Sequence, residues 1–437
     1  MKEYYYLDRI KEKTKYADYI QYELDRRVYC YGNQQKISFE KTRWRYNVIF
    51  SAILEFLIYL YFRLTTFFLT ENKKKFNNNV LSTAYHGFNE ILKKNQYSIL
   101  GTPWVISKNK NKLNFFDFVK ITIFKVKLLS SDFNYLISPE FSSKIEVIKL
   151  IIGTYISTNK IKGIFLPQDV GFFEKLIIDE ARKKGIPSFV ILHGAALRYG
   201  NTLNDNRADY LCVFGQVLKQ KLVESGFMPN KIIISGHPKY SLLKLPINLR
   251  NDHIDVMVAT KPLPGSPVEI AEHLKGRARD TNRLKDRGNL ILYLMEVQMA
   301  LLSIGVNKAR LRIHPSESSL WYLKFIDTNF FSIDKLSLLE SLEKSSLIIG
   351  PSSSLFFDSI FSGVNYMVYE PVYDDGLDIL NDPVGYPFNG GDDGIPVAKN
   401  VDELIGLLKS KSSVKLNSIE KYISPNFDIK QVLDILK

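Results

Sequence analysis

Short apolar segments alternate with longer amphipathic segments between residues 160 and 370, and this alternation limits the possible fold more than any other feature of the chain. Residues 163–167 read GIFLP, residues 172–184 have the spacing of an amphipathic helix, and residues 188–192 read SFVIL. Strands are also predicted at 209–214 and 231–235, with a helix between them. Successive strand–helix–strand units with short loops predict a doubly wound parallel sheet.

A second unit of the same kind follows residues 240–253, which have no clear period, contain Pro246 and are interpreted as a linker. Its predicted strands are 254–259, 309–313, 347–349 and 366–369, and its predicted helices include 289–302, 334–344 and 401–409. The fold class is therefore α/β, with two Rossmann-like domains facing a cleft. The predicted parts are a helical, basic and apolar N-terminal segment (1–78), an acceptor domain (79–245), a nucleotide-sugar domain (254–415) and a C-terminal helix (416–437).

Composition agrees with two globular domains. A chain of 437 residues is long for one hydrophobic core, and 45% hydrophobic with 24% charged residues is typical of folded proteins. The two cysteines, Cys30 and Cys212, lie far apart, which fits a reducing compartment. No Cys/His cluster predicts a zinc site, and the acidic loops 374–376 and 390–394 lack EF-hand spacing, so we predict no metal.

The chain carries a formal net charge of +13, much of it in the first 130 residues. Such an excess suits an anionic membrane or a phosphorylated ligand. No zinc finger or RNA-binding aromatic signature occurs, so we predict no nucleic-acid partner. The expected location is the cytoplasmic face of the inner membrane, with the protein attached peripherally.

Residues 48–69 are apolar and long enough to span a bilayer. Glu55 and Arg63 interrupt the segment, and each would be costly at the membrane centre. The favoured interpretation is a helix half-buried in its own protein or lying on the membrane surface. A true span and a wholly internal core helix remain alternatives. No cleavable signal peptide is predicted at the N-terminus.

Gly350-Pro-Ser-Ser-Ser354 is the strongest chemical motif, because it stands where a buried strand turns into a helix. Such a turn exposes unpaired backbone N–H groups and the positive end of a helix dipole, which favour a phosphate. The hydroxyls of Ser352, Ser353 and Ser354 offer further donors. The alternative is an ordinary serine N-cap.

Arg312-Ile-His314-Pro315 ends another strand of the same predicted domain. Ligands of open α/β sheets bind at the carboxyl ends of strands, so His314 can contact a phosphate as the leaving group gains charge. Lys261, after the first strand of this domain, is a further candidate for nucleotide contact. A structural histidine at a strand end is the alternative.

In the first domain, Asp169 and His193-Gly194 each follow a strand. Either side chain could remove a proton from an acceptor hydroxyl, which is the work of a general base. An N-cap role for Asp169 and a structural role for His193 are the alternatives.

These motifs resemble those of bacterial surface-polysaccharide glycosyltransferases of the GT-B fold, including CMP-sialic acid and CMP-Kdo-type transferases. Their His-Pro and downstream Ser-Ser motifs look like His314-Pro315 and Ser352-Ser353-Ser354. The resemblance implies that these residues hold the donor phosphate and that a first-domain carboxylate, for which Asp169 is the candidate, is the base. The chain is also similar to CDP-glycerol glycerophosphotransferases, whose His-Gly base motif looks like His193-Gly194.

The expected activity is transfer of a nonulosonic acid from a CMP-activated donor to a glycan or lipid-linked glycan of the capsule or lipopolysaccharide. No cofactor is expected, because CMP leaves readily when its phosphate charge is held. The open alternatives are a CDP-glycerol, UDP-sugar or GDP-sugar transferase, a sugar-nucleotide epimerase of the same architecture, and a membrane-bound scaffold.

Overall fold

A computed structural model gives the structure of the chain over residues 11–21, 23, 50, 52–54, 56–57, 60, 78–84, 86–104, 113–131, 133–192, 207–260, 284–315, 317, 319–371 and 386–437. Cys30, His193, Gly194, Lys261 and the acidic loop 374–376 lie outside these described residues. Every strand pairing between the named strands is parallel.

The first domain contains a six-stranded sheet in the order β2-β1-β3-β4-β5-β6. Its strands are β1 (Asn78–Ser82), β2 (Tyr97–Leu100), β3 (Ile161–Leu166), β4 (Ser188–Ile191), β5 (Tyr210–Val213) and β6 (Ile232–Ile234). Its helices are α1 (His86–Lys94), α2 (Phe115–Ser130), α3 (Phe133–Leu136), α4 (Pro139–Thr158), α5 (Phe172–Arg182) and α6 (Gln216–Glu224). The strands predicted after residue 160 are present, each within a residue or two of its expected bounds.

The second domain contains another six-stranded sheet, in the order β12-β11-β10-β7-β8-β9. Its strands are β7 (Val256–Ala259), β8 (Ala309–Arg312), β9 (Phe331–Ile333), β10 (Leu347–Gly350), β11 (Asn365–Tyr369) and β12 (Val397–Ala398). Its helices are α7 (Leu284–Leu302), α8 (Ser319–Tyr322), α9 (Leu338–Lys344), α10 (Leu355–Phe361) and α11 (Val401–Lys409). Counted from β7, the order is 3-2-1-4-5-6, which is that of a Rossmann domain.

The helix predicted at 334–344 begins later than expected. Ser337 and Glu340 form a capping box, in which each side chain accepts a hydrogen bond from the other residue's backbone N–H. Asp334, by contrast, still donates its backbone N–H to the carbonyl of Leu311 on β8. The capping box therefore sets the start of α9, because it satisfies N–H groups that a helix start leaves without partners.

The C-terminal segment is two helices, α12 (Leu416–Tyr422) and α13 (Lys430–Ile435), rather than the single helix predicted for 416–437. The interruption contains Pro425, and proline does not continue a helix. The link between the two helices contacts the first domain through two backbone hydrogen bonds. Ser424 donates to the carbonyl of Phe214 at 2.8 Å, and Asp428 donates to that of Ser235 at 3.0 Å.

The described part of the N-terminal segment is helical at residues 17–21 and 23, and again at 50, 52–54, 56–57 and 60. The first stretch packs on α5, where Lys175 forms an ion pair with Asp18 at 3.0 Å. The second lies beside α2, through a ring contact between Phe56 and Phe115. Within the described ranges, no helix combines the length and apolar character needed to cross a bilayer.

Candidate functional site

The order in which strands are added to the second sheet reverses after β9. Strands β8 and β9 lie on one side of β7, and β10, β11 and β12 lie on the other. The switch point is therefore between β7 and β10. In open α/β sheets, ligands bind outside the carboxyl ends of the strands at such a switch point. Thr260 follows β7 there, Gly350 is the last residue of β10, and Pro351 through Ser354 follow it. His314 follows β8, the other neighbour of β7. One strand therefore separates His314 from the serines, a spacing of about 10 Å.

The serine loop leaves three backbone donors available. Ser354 is the N-cap residue of α10, and its side chain makes no capping hydrogen bond. The N–H groups of Ser353, Ser354 and Leu355 have no acceptor among the described residues. Ser353 is half-buried and Ser354 is exposed, so an anion could reach these donors from solvent.

Ser352 differs from the other two serines because it already binds a carboxylate. Glu370 Oε1 accepts the Ser352 N–H at 2.6 Å and the Ser352 hydroxyl at 2.5 Å. A phosphate that used Ser352 would therefore have to displace Glu370. Sequence reasoning missed Glu370, although it directly follows β11, the strand next to β10.

Gly350 has a packing role that the sequence did not indicate. A Cβ at this position would lie 3.1 Å from the Cβ of Ala259 and would collide with the hydroxyl of Tyr366. That hydroxyl donates to the carbonyl of Pro351 at 2.7 Å. The glycine therefore allows Tyr366 to hold the first turn of the serine loop.

Arg312 was predicted to contact a phosphate, and its guanidinium already makes hydrogen bonds within the second domain. Its Nη1 donates to Asp334 Oδ2 at 3.2 Å and to Ser341 Oγ at 2.8 Å. Arg310, which shares a strand face with Arg312 because it lies two residues away, also donates to Asp334. These contacts connect Arg312 to the segment that leads to α9, and its contact with a phosphate stays a prediction.

His314 is half-buried, and its backbone is fixed to the end of β7. Its N–H donates to the Thr260 hydroxyl at 3.0 Å. Pro315 is exposed. The contact with Thr260 joins the loop after β8 to the residue that directly follows β7.

Asp169 follows β3 at the switch point of the first sheet, where β1 and β3 are neighbours. It is 2% exposed, and its Oδ2 accepts the N–H groups of Arg207 at 2.7 Å and Ala208 at 2.9 Å. Asp169 therefore anchors the chain entering β5. The N-cap alternative is wrong, since Gly171 is the N-cap of α5.

Glu174, in the first turn of α5, is a carboxylate that sequence reasoning missed. Burial raises the pKa of its carboxyl above the ordinary value, and the charges of Glu23 and Asp169 raise this pKa further. A raised pKa makes a carboxylate a better proton acceptor near neutral pH. Across the described part of the chain, no group of three or more His, Cys, Asp or Glu residues is placed to hold a metal ion.

Two Rossmann-like domains, each built on a six-stranded parallel sheet, give the chain the GT-B organisation predicted from the sequence. No protein-family model matches the chain, and no curated protein matches its sequence.

Several solved structures are similar at low identity. UDP-GlcNAc 2-epimerase from Neisseria meningitidis bound to UDP-GlcNAc is 11% identical, with 82% of this chain and 98% of that chain covered and a TM-score of 0.42. MurG from Acinetobacter baumannii is 11% identical, with 82% and 98% covered and a TM-score of 0.45. The lipopolysaccharide outer core galactosyltransferase WaaB is 8% identical, with 82% and 98% covered and a TM-score of 0.41. The fold class rests on the strand order of the two sheets.

Proposed function

We propose that this protein is a glycosyltransferase that binds a nucleotide-activated sugar at the switch point of its second sheet. The observation that carries the proposal is the placement of three open N–H groups, on Ser353, Ser354 and Leu355, at the carboxyl end of β10. His314 follows β8 on the far side of β7. A nucleotide phosphate placed there would meet backbone donors on one side and an imidazole on the other.

The donor we propose is a CMP-activated nonulosonic acid. The support is the resemblance of His314-Pro315 and Ser352-Ser353-Ser354 to the motifs of CMP-sialic acid and CMP-Kdo-type transferases, together with their positions at strand ends on either side of β7. CDP-glycerol and UDP- or GDP-sugars are the alternative donors. Lys261 remains a proposed nucleotide contact.

In the proposed reaction, the bond between the sugar and the CMP phosphate oxygen breaks, and an acceptor hydroxyl oxygen forms the new bond. Donors aimed at the phosphate stabilise the charge that develops on it as CMP leaves. The protein residues supply this stabilisation in the proposal, so a metal is not required. The acceptor is a glycan or a lipid-linked glycan of the cell surface.

The hydroxyl proton passes to a base of the first domain. Asp169 and His193 are the residues proposed from the sequence, and Glu174 joins them because of its raised pKa. The two hydrogen bonds that Asp169 Oδ2 already accepts favour a structural role for Asp169. Transfer rates of D169N, H193A and E174Q at saturating donor would identify the base, whose loss lowers the rate by about 100-fold or more.

The proposed location is the surface of the inner membrane. One face of α2 carries Phe116, Lys120, Ile123 and Lys127 at helical spacing. Phe116 is 74% exposed and Ile123 is 52% exposed. Exposed apolar side chains on the neighbouring helical stretch are Phe50, Ile53, Leu54 and Leu57. Apolar side chains interspersed with lysines suit a bilayer that contains anionic lipids.

Binding of CMP, CDP and UDP to the wild-type protein, measured by calorimetry, tests the nucleotide site. We expect CMP to bind and H314A to weaken it about 10- to 100-fold, the usual effect of losing a hydrogen bond to a charged group. H253A is the control, because His253 precedes β7 and so lies at the opposite edge of the sheet. Failure of all three nucleotides to bind, or equal affinities for H314A and wild type, would refute the donor site.

A further inference from the structure

Glu317 is a buried carboxylate beneath the loop that carries His314. It is 3% exposed, and among the described residues no Lys or Arg lies within ion-pair distance of it. Both carboxylate oxygens are held by hydroxyl groups. Thr260 donates to Oε2 at 2.5 Å, and Tyr322 donates to Oε1 at 2.8 Å. Burying a carboxylate without a cationic partner is costly, so its presence here calls for a specific role.

The same carboxylate closes a ring of hydrogen bonds around His314. The Thr260 hydroxyl that donates to Glu317 also accepts the N–H of His314 at 3.0 Å. The N–H of Glu317 in turn donates to the carbonyl of His314 at 2.8 Å. His314 is therefore fixed through both of its backbone polar groups, and Glu317 contributes to each contact.

Electrostatics connects the two side chains as well. Burial raises the pKa of the Glu317 carboxyl, whereas the hydroxyls of Thr260 and Tyr322 and the charge of His314 lower that pKa. Each of these groups therefore stabilises the ionised form of Glu317.

We propose that Glu317 is a positioning residue of the nucleotide site, which uses Thr260 and Tyr322 to hold His314 where it meets the donor phosphate. This inference rests on the proposed function, because it assigns His314 to the phosphate. Glu317 itself does not touch the donor in this proposal. Its substitution acts on nucleotide binding only through His314.

The first test needs no ligand. Hydrogen exchange is measured at the amides of His314 and Glu317 in wild type, E317Q and E317L. We expect exchange in E317L to be about tenfold faster or more at these two amides and unchanged in β8, because local opening costs less once a buried hydrogen-bond network is broken. E317Q retains groups that can hydrogen-bond to both hydroxyls, so its exchange stays closer to wild type.

The second test measures CMP affinity, with CDP and UDP in parallel, for E317L, H314A and the double variant. We expect E317L to weaken binding about tenfold or more, E317Q to restore most of the loss, and the double variant to bind no more weakly than H314A alone, since coupled residues are not additive. E340Q is the control, because Glu340 caps α9 in the same domain and a general loss of stability would affect it similarly.

The outcomes separate this inference from the proposed function. Unchanged exchange in E317L overturns the positioning role whether or not nucleotides bind. Wild-type affinity in E317L, or additive losses in the double variant, also overturns it and leaves the donor site in place. Faster exchange in E317L with no nucleotide bound by wild type overturns the donor site and with it the role of Glu317 in nucleotide binding.

Discussion

Single polar residues in this protein are informative when their hydrogen bonds are known. Ser352 and Ser353 are neighbours in one motif, yet Ser352 binds Glu370 whereas the Ser353 N–H has no acceptor within the described residues. Arg312 and His314 are also neighbours in one motif, and Arg312 binds Asp334. A polar residue at a strand end therefore indicates a possible ligand contact. Whether its side chain is available for that contact depends on the hydrogen bonds that it already makes within the protein.

His237 gives a prediction at this scale, because its environment favours the neutral imidazole. Its Nδ1 accepts the N–H of Lys239 at 3.1 Å, and its ring packs against Phe214 and Tyr240. Burial lowers the pKa of His237 from 6.5 to about 4, and the charge of Lys239 acts in the same direction. The unfolded chain thus binds a proton at higher pH than the folded protein does.

The consequence is a loss of stability as the pH falls from about 6.5 to about 4. The neutral native imidazole contributes fully above the unfolded pKa, and the loss reaches about 3 kcal/mol at the low end. H237N keeps an acceptor but cannot titrate, so its stability should fall less over this range. Urea unfolding at pH 7 and pH 4.5 checks the difference, and parallel losses in both proteins would contradict it.

At the scale of elements, helix faces show how local pattern and packing combine. On α2, Phe118, Ile121, Phe124 and Leu128 are buried, while the opposite face carries Phe116 and Ile123 in exposed positions. The buried set follows helical spacing and packs against α4 and α5, for example through the stacked rings of Phe124 and Phe141. Packing within the protein does not explain why this outer face exposes two apolar residues among its lysines.

From the outer face of α2 we predict that binding of the protein to a membrane depends on lipid composition. The double variant F116E/I123E should bind vesicles of phosphatidylglycerol and phosphatidylcholine at least about tenfold more weakly than wild type, because apolar burial is lost and negative charge is added. Co-sedimentation measures the affinity. L339E is the matched control, since Leu339 is 71% exposed in the second domain. Equal binding by all three proteins, or no preference of wild type for the anionic lipid, would refute this surface.

At the scale of the whole molecule, the C-terminal helices follow the second domain in sequence but pack against the first domain. Ile429, Val432 and Leu436 pack in one hydrophobic cluster with Phe165 and Phe189 of the first sheet. Tyr240, just after the last strand of that sheet, reaches the second domain and donates to Asp358 at 2.8 Å. The two domains are thus connected both by the linker and by the returning C-terminus.

A substitution at Gly215 tests the packing of the C-terminal helices against the first domain. A Cβ there would lie 2.8 Å from the carbonyl carbon of Tyr422 and 3.1 Å from the carbonyl oxygen of Lys421, and these are backbone atoms that cannot rotate away. G215A should lower the free energy of unfolding by about 1–3 kcal/mol. G406A is the control, because a Cβ at Gly406 in α11 meets nothing within 4 Å and alanine favours a helix by about 1 kcal/mol. Urea unfolding of both variants measures the effects, and a G215A protein as stable as wild type would contradict the close contact.

The sequence by itself determined most of the longer strands and amphipathic helices after residue 160 and the division into two α/β domains. Buried parallel strands and amphipathic helices are local patterns, so the segments 163–167 and 188–192 could be recognised without any knowledge of their neighbours. The serine loop and His314 were also placed at strand ends for this reason. The start of α9 was misjudged because a capping box is a finer signal than hydrophobic period.

Only the tertiary structure decided which strand ends are neighbours and which side chains meet there. The positions of Thr260 and Glu317 differ by 57 residues and those of Ser352 and Glu370 by 18, and no periodicity within either segment indicates these contacts. The partners of Asp169 and the return of the C-terminus to the first sheet are likewise set by packing between distant segments. Local sequence fixes which faces must be buried, whereas the choice among possible partners depends on the geometry of the whole fold.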